Sequence, residues 1–491
     1  MPAKRLNNRR WQSQTGGFIA GYLQETTMYV DSTSQTSTRA DTATRGQTRE
    51  RMTALQRLTL FLCFLIVAAD GFDVASVGYV APLLKRQWSL SPAELGPVFG
   101  AGLFGLTIGS FLFGPLADRI GRKRVILISM FLFGIGSLAC AWSPSVGWLV
   151  FLRFLTGAGL GGAMPNAITL SSEYSPAHNR AWLVTLMFCG FTLGLACGGY
   201  VAAWLIPHFG WQGVFIFGGL APLVLVPIVA WQLPESLRFM AGKPAFAKQM
   251  QRTLARLGER GAASFTAEAT AEAMAERQQA EATSGATAVA ERPVATLFNA
   301  HYRTGTLLLW LAFFCTLWVY YQISSWLPTV LTESGIGVAH AAQVGAMLPI
   351  GGTLGSLLNA RLMDRFNPFV VLAFSYVVAA VSIALIGTSL HSTTLVFVTV
   401  FFAGFGLSGA QTGANVLVAG FYTTGARATG VSWALGVGRV GSIIGSMTGG
   451  LLLAALSSVQ VSFVVFAVPA VIAGIAMIAN GLRYRRQMAS A

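Results

Sequence analysis

Apolar residues in this chain come mostly in unbroken runs of about twenty or more, not in the stripes of a half-buried strand or a surface helix. A helix needs about 20 such residues to cross ~30 Å of hydrocarbon, and in lipid it satisfies its own backbone. Twelve runs meet that condition: 58–84, 95–117, 125–143, 147–172, 181–205, 211–233, 304–331, 341–363, 369–389, 393–423, 428–456 and 459–482. They predict an all-α polytopic membrane protein with 12 transmembrane helices. Two polar blocks interrupt the pattern, and they set the expected layout: a disordered tail (1–57), a six-helix half (58–233), a linker (234–303), a second six-helix half (304–482) and a short tail (483–491). The tail contains "GGFIAGYLQ", which is too short and mixed for a secretory signal, so translation starting at Met28 or Met52 is an alternative to Met1.

The two halves repeat. "GPLADRIGRKR" at 114–124 is echoed by "ARLMDRFNP" at 360–368, with Asp118 and Asp364 246 positions apart. "GAGLGGA" at 157–163 returns as "GFGLSGA" at 404–410, and Arg180 returns as Arg427, each 247 positions on. One offset in one order indicates an internal duplication of six spans, the plan of alternating-access transporters with a substrate site between the halves. The pseudo-symmetric halves are therefore the expected frame of the fold.

Composition changes the picture little: 54% of residues are hydrophobic and 10% charged, against about 25% charged in soluble domains. The net charge of +15 invites a nucleic-acid reading, but position decides against one. Of 33 Lys and Arg, nine precede residue 58, four lie in the 118–124 turn and nine between 236 and 303; Arg180, Arg361, Arg365, Arg427, Arg483, Arg485 and Arg486 share that side of a twelve-span topology. Lys85 and Arg86 fall on the other side. This asymmetry predicts a membrane protein with both termini and the linker in the cytoplasm. The five cysteines lie in apolar spans without metal-ligand spacing and read as small core side chains. No metal and no cofactor is expected.

Candidate chemistry begins with "FLCFLIVAADGFDVASVGYVAPLL" at 61–84, which carries Asp70 and Asp73 in mid-span. Asp70 is twelve residues into its span, about 18 Å at 1.5 Å per residue, and Asp73 shares its face. Desolvation and mutual repulsion favour a proton on one of the pair. Intramembrane acids are rare and usually functional, and a structural role in bonding neighbouring helices is the alternative. Arg153 and Arg439 also fall inside spans. An arginine there costs about 2.5–3.5 kcal/mol or more and calls for a partner, so Arg153 points either to a buried acid or, by snorkelling, to the surface.

With these residues in place, the chain resembles the major facilitator superfamily over about residues 55–485. "GPLADRIGRKR" matches that family's signature between its second and third helices at Gly114, Asp118, Arg119, Gly121, Arg122 and Lys123. "RFLTGAGLGGAMPNA" at 153–167 is similar to its fourth-helix motif, whose arginine is associated with proton coupling. "GFTLGLACGGY" has Leu195 where family antiporters carry proline, which argues against antiport. "LPESLRF" at 233–239 resembles the close of the sixth helix in sugar and organic-acid porters. "ADGFD", the fourth-helix motif and "RATGVSWALGVGRVGSIIG" at 427–445 together resemble the aromatic acid:proton symporters of bacteria. The second-half turn departs from the pattern with Asn359 and Ala360 in place of glycine.

The resemblance implies proton-coupled uptake of an aromatic carboxylate, such as benzoate or a hydroxybenzoate, across the bacterial inner membrane by a transporter functional as a monomer and with no enzymatic activity. Asp70, Asp73 and Arg153 would carry the proton coupling. Arg439 would hold the substrate carboxylate through a two-pronged hydrogen bond, with Arg427 or Arg153 as alternatives. Trp318, Tyr321 and Trp433 would wall the ring, with Tyr320 and Trp326 nearby, although aromatic residues also serve as interface anchors. The signature residues would form a conformational latch with Glu173, Arg180, Arg427, Asp364 and Arg365. A sugar or aliphatic-acid porter and a membrane chemoreceptor remain alternatives. Intramembrane protease, zinc-protease, nucleophile-elbow and P-loop motifs are absent from the sequence.

Overall fold

The computed structural model describes residues 52–490 except 177–178, 242, 259–260, 262–264, 266–292, 300, 423 and 457. The expected tail up to residue 51, the alternative start at Met28 and most of the linker lie outside the described residues. Eleven of the described helices are long and apolar enough to span a membrane. They are α1 (Ala54–Gln87), α2 (Pro92–Ile120), α3 (Arg122–Cys140), α4 (Val146–Tyr174), α5 (Arg180–Gln232), α6 (Arg303–Glu333), α7 (Val338–Met363), α8 (Pro368–Ser389), α9 (Thr393–Phe421), α10 (Thr424–Ala455) and α11 (Val459–Ser490).

Local signals start these helices where the apolar runs begin. Thr53 with Gln56 and Ser91 with Glu94 form reciprocal capping boxes at α1 and α2, and the Asn367 side chain accepts from the Phe369 N–H at the head of α8. Between α2 and α3 the chain turns at Gly121 with φ 107°, a left-handed value that glycine accepts without a steric penalty.

The runs 181–205 and 211–233 are the two limbs of α5, which together run 53 residues. Unbroken, it would be about 80 Å long, more than twice the ~30 Å of hydrocarbon. It departs from helical geometry at Gly210 (φ 67°, ψ −170°), and its two limbs have different partners. Gly190 and Gly194 on the first lie against the α1 backbone at Phe64 and Ala68. On the second, Gly219 faces the Gly134 carbonyl of α3, where a Cβ would come within 2.6 Å. Eleven helices therefore make twelve crossings.

The internal repeat is visible in the packing. Gly105 on α2 lies against the Phe154 carbonyl of α4, and Gly351, 246 positions on, lies against the Phe401 carbonyl of α9. Gly157 abuts Gly102, and Gly404, 247 positions on, abuts Leu348. Ser110 Oγ donates to the Gly161 carbonyl at 3.1 Å, as Ser356 Oγ does to the Ser408 carbonyl at 3.2 Å. Small residues matter here because lipid supplies no hydrophobic drive between helices, leaving close van der Waals packing and interhelical hydrogen bonds.

Contacts between the two sets of helices gather at the end bearing Lys85. Gly78 faces the Ser324 carbonyl, Gly96 the Met447 carbonyl and Gly199 the Ala342 carbonyl, and Lys85 pairs with Glu333. The buried Trp326 ring meets Phe99 edge-on at 5.1 Å and donates from Nε1 to the Ser446 carbonyl at 2.7 Å, tying α6 to α2 and α10.

Of the cysteines, Cys63, Cys140 and Cys315 are buried, but Cys197 is exposed and Cys189 half-buried. The expectation of five core side chains fails for these two, because an apolar span buries only one of its faces in protein.

Gly105→Ala and Gly351→Ala each set a methyl group against backbone that cannot yield, so each should destabilise the protein by about 1–3 kcal/mol. Gly114, with nothing within 4 Å of its missing Cβ, should accept alanine without loss. Thermal denaturation in detergent checks the contrast.

Candidate functional site

Helices α1 and α4 bring Asp73 and Arg153 together in the core, where Asp70 and Asp73 are 0% exposed and Arg153 3%. Arg153 Nη1 stands 3.0 Å from Asp73 Oδ2 and donates to Oδ1 at 3.3 Å, while Nη2 donates to the Asp73 backbone carbonyl at 3.4 Å. The guanidinium also lies over the Phe215 ring, 5.8 Å from its centroid. Of the two readings left open for Arg153, the buried acid is the one present.

Asp70 differs from Asp73. Neither of its carboxylate oxygens has a hydrogen-bond partner. Its electrostatic neighbours are Asp73, on the same helix, and Arg439, on α10 in the other half. The two acids are three residues apart, yet one is locked into an ion pair and the other has no hydrogen-bond partner and feels the charge of Arg439 from the other half.

A small cavity touches Arg153 and is lined also by Gly78, Phe99, Leu160, Tyr321 and Ser324. Its volume of about 30 Å³ is room for about one water, so a ring compound needs the site to widen. Tyr321 lines it, with Tyr320 ring-to-ring at 5.5 Å. Trp318 is half-buried, edge-on to Phe314 at 5.5 Å, and its buried Nε1 has no partner. Trp433 stacks on Trp310 at 5.5 Å and is not among the residues lining this cavity. Trp326 is committed to packing, as described above.

The signature turn forms a network at the opposite end of the bundle from Lys85. Arg122 pairs with Glu173, and Ser236 Oγ donates to Glu173 Oε2 at 2.7 Å. Glu235 accepts from the Lys123 N–H at 3.0 Å and the Ser236 N–H at 2.9 Å, so it caps the start of α3. Tyr174 donates to the Glu235 carbonyl at 2.7 Å. Asp118, Arg119, Asp364 and Arg365 are exposed, and Asp118 acts on Arg122 through its charge. Arg180 and Arg427 are half-buried at the starts of α5 and α10. Asn359, the departure from glycine, is buried and donates from Nδ2 to Ser375 Oγ at 2.8 Å, bonding α7 to α8.

Sequence reasoning missed Glu235 and Ser236 as members of this network. The signal was present in "LPESLRF": a carboxylate and a hydroxyl that end an apolar run can cap a neighbouring helix as readily as their own.

The family model described as Major Facilitator Superfamily matches residues 63–389 and 342–488. A gallate transporter of Pseudomonas putida is 45% identical over 432 residues, covering 88% of this chain and 93% of that protein. The 4-hydroxybenzoate transporter PcaK of Pseudomonas aeruginosa is 44% identical over 421 residues, covering 86% and 91%. Among solved structures, a bacterial homologue of the human lysosomal transporter Spinster, inward-facing and unoccupied, aligns with a TM-score of 0.68 at 17% identity over 88% of this chain and 98% of that one. The xylose transporter XylE from E. coli, partially occluded and inward open, aligns at 0.65 and 17% over 86% and 98%. These two likenesses bear on the fold.

Glu235→Ala leaves two backbone N–H groups without their acceptor, a loss of about 1–3 kcal/mol for buried donors. The 121–124 turn should then be cleaved faster by trypsin in the detergent-solubilised protein, while Glu235→Gln, which keeps an acceptor oxygen, should resist nearly as well as wild type.

Proposed function

The chain belongs to the Major Facilitator Superfamily, and we propose that it imports an aromatic carboxylate together with a proton across the bacterial inner membrane. The substrate class is supported by the names of the relatives at 45% and 44% identity, a gallate and a 4-hydroxybenzoate transporter. The coupling rests on one observation: Asp70 is fully buried without a hydrogen-bond partner while its neighbour Asp73 is held by Arg153.

That asymmetry divides the work. Asp73 stays ionised, because removing its charge would strand a buried Arg153, a loss of about 3–5 kcal/mol. Asp70 has no donor to satisfy its charge directly, so it is the group that takes the proton. While Asp70 is ionised its charge is balanced by Arg439. When it is protonated, Arg439 is free for the substrate carboxylate, whose two oxygens suit the guanidinium fork. The site is charge-balanced both with a bare Asp70 and with proton and anion bound, and unbalanced with either alone. Balanced forms cross between access states at low cost, which couples the two fluxes.

Tyr321 and Trp318 supply walls for the ring once the cavity widens. The end bearing Arg122, Arg180 and Arg427 is cytoplasmic by the distribution of basic residues, so the contacts gathered at the Lys85 end close the outer side, and the transporter works as a monomer. One proton with one monovalent anion moves no net charge, and accumulation follows the pH gradient.

In proteoliposomes with an imposed pH gradient, Asp70→Asn should abolish accumulation of labelled 4-hydroxybenzoate yet retain substrate counterflow, since the amide imitates the protonated acid. Asp73→Asn should lose both. Accumulation by Asp70→Asn at the wild-type level would refute the coupling role.

Arg439→Lys keeps the charge but loses the fork. It should raise the KM for uptake by about tenfold or more; an unchanged KM would move the substrate carboxylate to another cation.

A further inference from the structure

A second cavity, of about 390 Å³, lies at the Lys85 end between α1 and α6, a size within the ~300–1,000 Å³ of small-molecule pockets. Pro82, Lys85, Arg86 and Ser89 line it from α1 and the turn that follows, and Thr329, Thr332 and Glu333 line it from α6. The Lys85–Glu333 ion pair bridges it from one half to the other. Thr329 is 2% exposed and its hydroxyl has no hydrogen-bond partner, although a buried hydroxyl normally finds one. Thr332, one turn on, is satisfied by the Pro328 carbonyl at 2.7 Å.

The floor of the cavity is firmly built. After α1 the Leu90 N–H returns to the Lys85 carbonyl at 3.0 Å and the Trp88 N–H to that of Leu84 at 3.0 Å. Ser89 sits at φ 49°, the one non-glycine residue with positive φ among those described. Lys85 and Arg86 are also the two cations that the charge distribution places on the outer side.

We infer that this cavity is an outer capture site, in which the substrate's carboxylate takes the place of the Glu333 carboxylate on Lys85. The inference rests on the proposed import of an aromatic carboxylate. Glu333 presents to Lys85 the same group that such a substrate carries. An arriving anion can therefore exchange with it one for one, take the unpartnered Thr329 hydroxyl as a second donor, and be held near the exposed Arg86. The exchange breaks the ion pair that joins the halves, so binding itself loosens the outer contact. Outer opening thus becomes conditional on an anion being present, through a difference in contacts between the closed and opening states.

Capture differs from a plain gate in the sign of two substitutions. Glu333→Gln and Lys85→Gln both break the ion pair, and a gate alone would respond to them alike. A capture site responds in opposite senses: Glu333→Gln removes the competitor and lowers the KM, whereas Lys85→Gln removes the anchor and raises it.

The test is initial-rate uptake of external 4-hydroxybenzoate into proteoliposomes under a fixed pH gradient, with each variant first shown to be monodisperse. Expected are a KM lowered severalfold in Glu333→Gln, and a KM raised by about tenfold in Lys85→Gln. Thr329→Val, nearly isosteric, should raise KM by a smaller factor. KM shifts of the same sign in Glu333→Gln and Lys85→Gln, or no shift in either, would overturn the capture site. Wild-type uptake in the same preparation is the control for the import reading, which stands or falls separately on it.

Discussion

The ion pair between Arg153 and Asp73 is the constraint around which the rest of the molecule is arranged. An arginine in the middle of a bilayer protein is tolerable only with a partner, and the partner here lies on α1, 80 residues earlier in the chain. The pair fixes α1 to α4. Because Arg153 spends its two terminal nitrogens on Asp73, it leaves Asp70 without a hydrogen-bond partner and under the charge of Arg439 from the other half. Two acids on one helix face thus become chemically unlike without any difference in side-chain type.

The fold serves that arrangement through small residues. Glycines pack α2 against α4 and α7 against α9 at corresponding positions of the two halves, each against a neighbouring backbone. Such interfaces are stiff, so each half can move as a body. The Arg122–Glu173 pair and the Glu235 cap bind the turn after α2 to the ends of α4 and α5 within the first half. At the other end, contacts through Gly78, Gly96 and Gly199 and the Lys85–Glu333 pair join the halves. Rigid bodies with separable contacts between them are what alternating access needs.

Much of this was legible in the sequence, for identifiable reasons. Lipid demands unbroken apolar helices, so length alone found the crossings, and the offset of 246 to 247 between Asp118 and Asp364 or Arg180 and Arg427 found the repeat that Gly105 and Gly351 express in packing. Asp70, Asp73 and Arg153 stood out because charge inside a span is costly. What stayed hidden depends on three-dimensional partners. Spacing cannot say which of two acids on one face meets the arginine. Nor can it show that Trp326 spends its indole on Ser446, while Tyr321 lines a cavity. Glu235 and Ser236 escaped notice because their work is to bond a turn more than a hundred residues earlier. The two spans expected on either side of residues 206–210 are both present in α5, because Gly210, at φ 67°, turns the chain between them.

The central claim is that of two neighbouring buried acids, Asp70 exchanges the proton and Asp73 does not. Infrared difference spectroscopy of the purified protein across a pH titration reads this directly, since a buried carboxylic acid shows a carbonyl band that a carboxylate lacks. The account predicts one such titrating band, retained in Asp73→Asn and missing from Asp70→Asn. A band that disappears in Asp73→Asn and persists in Asp70→Asn would contradict it.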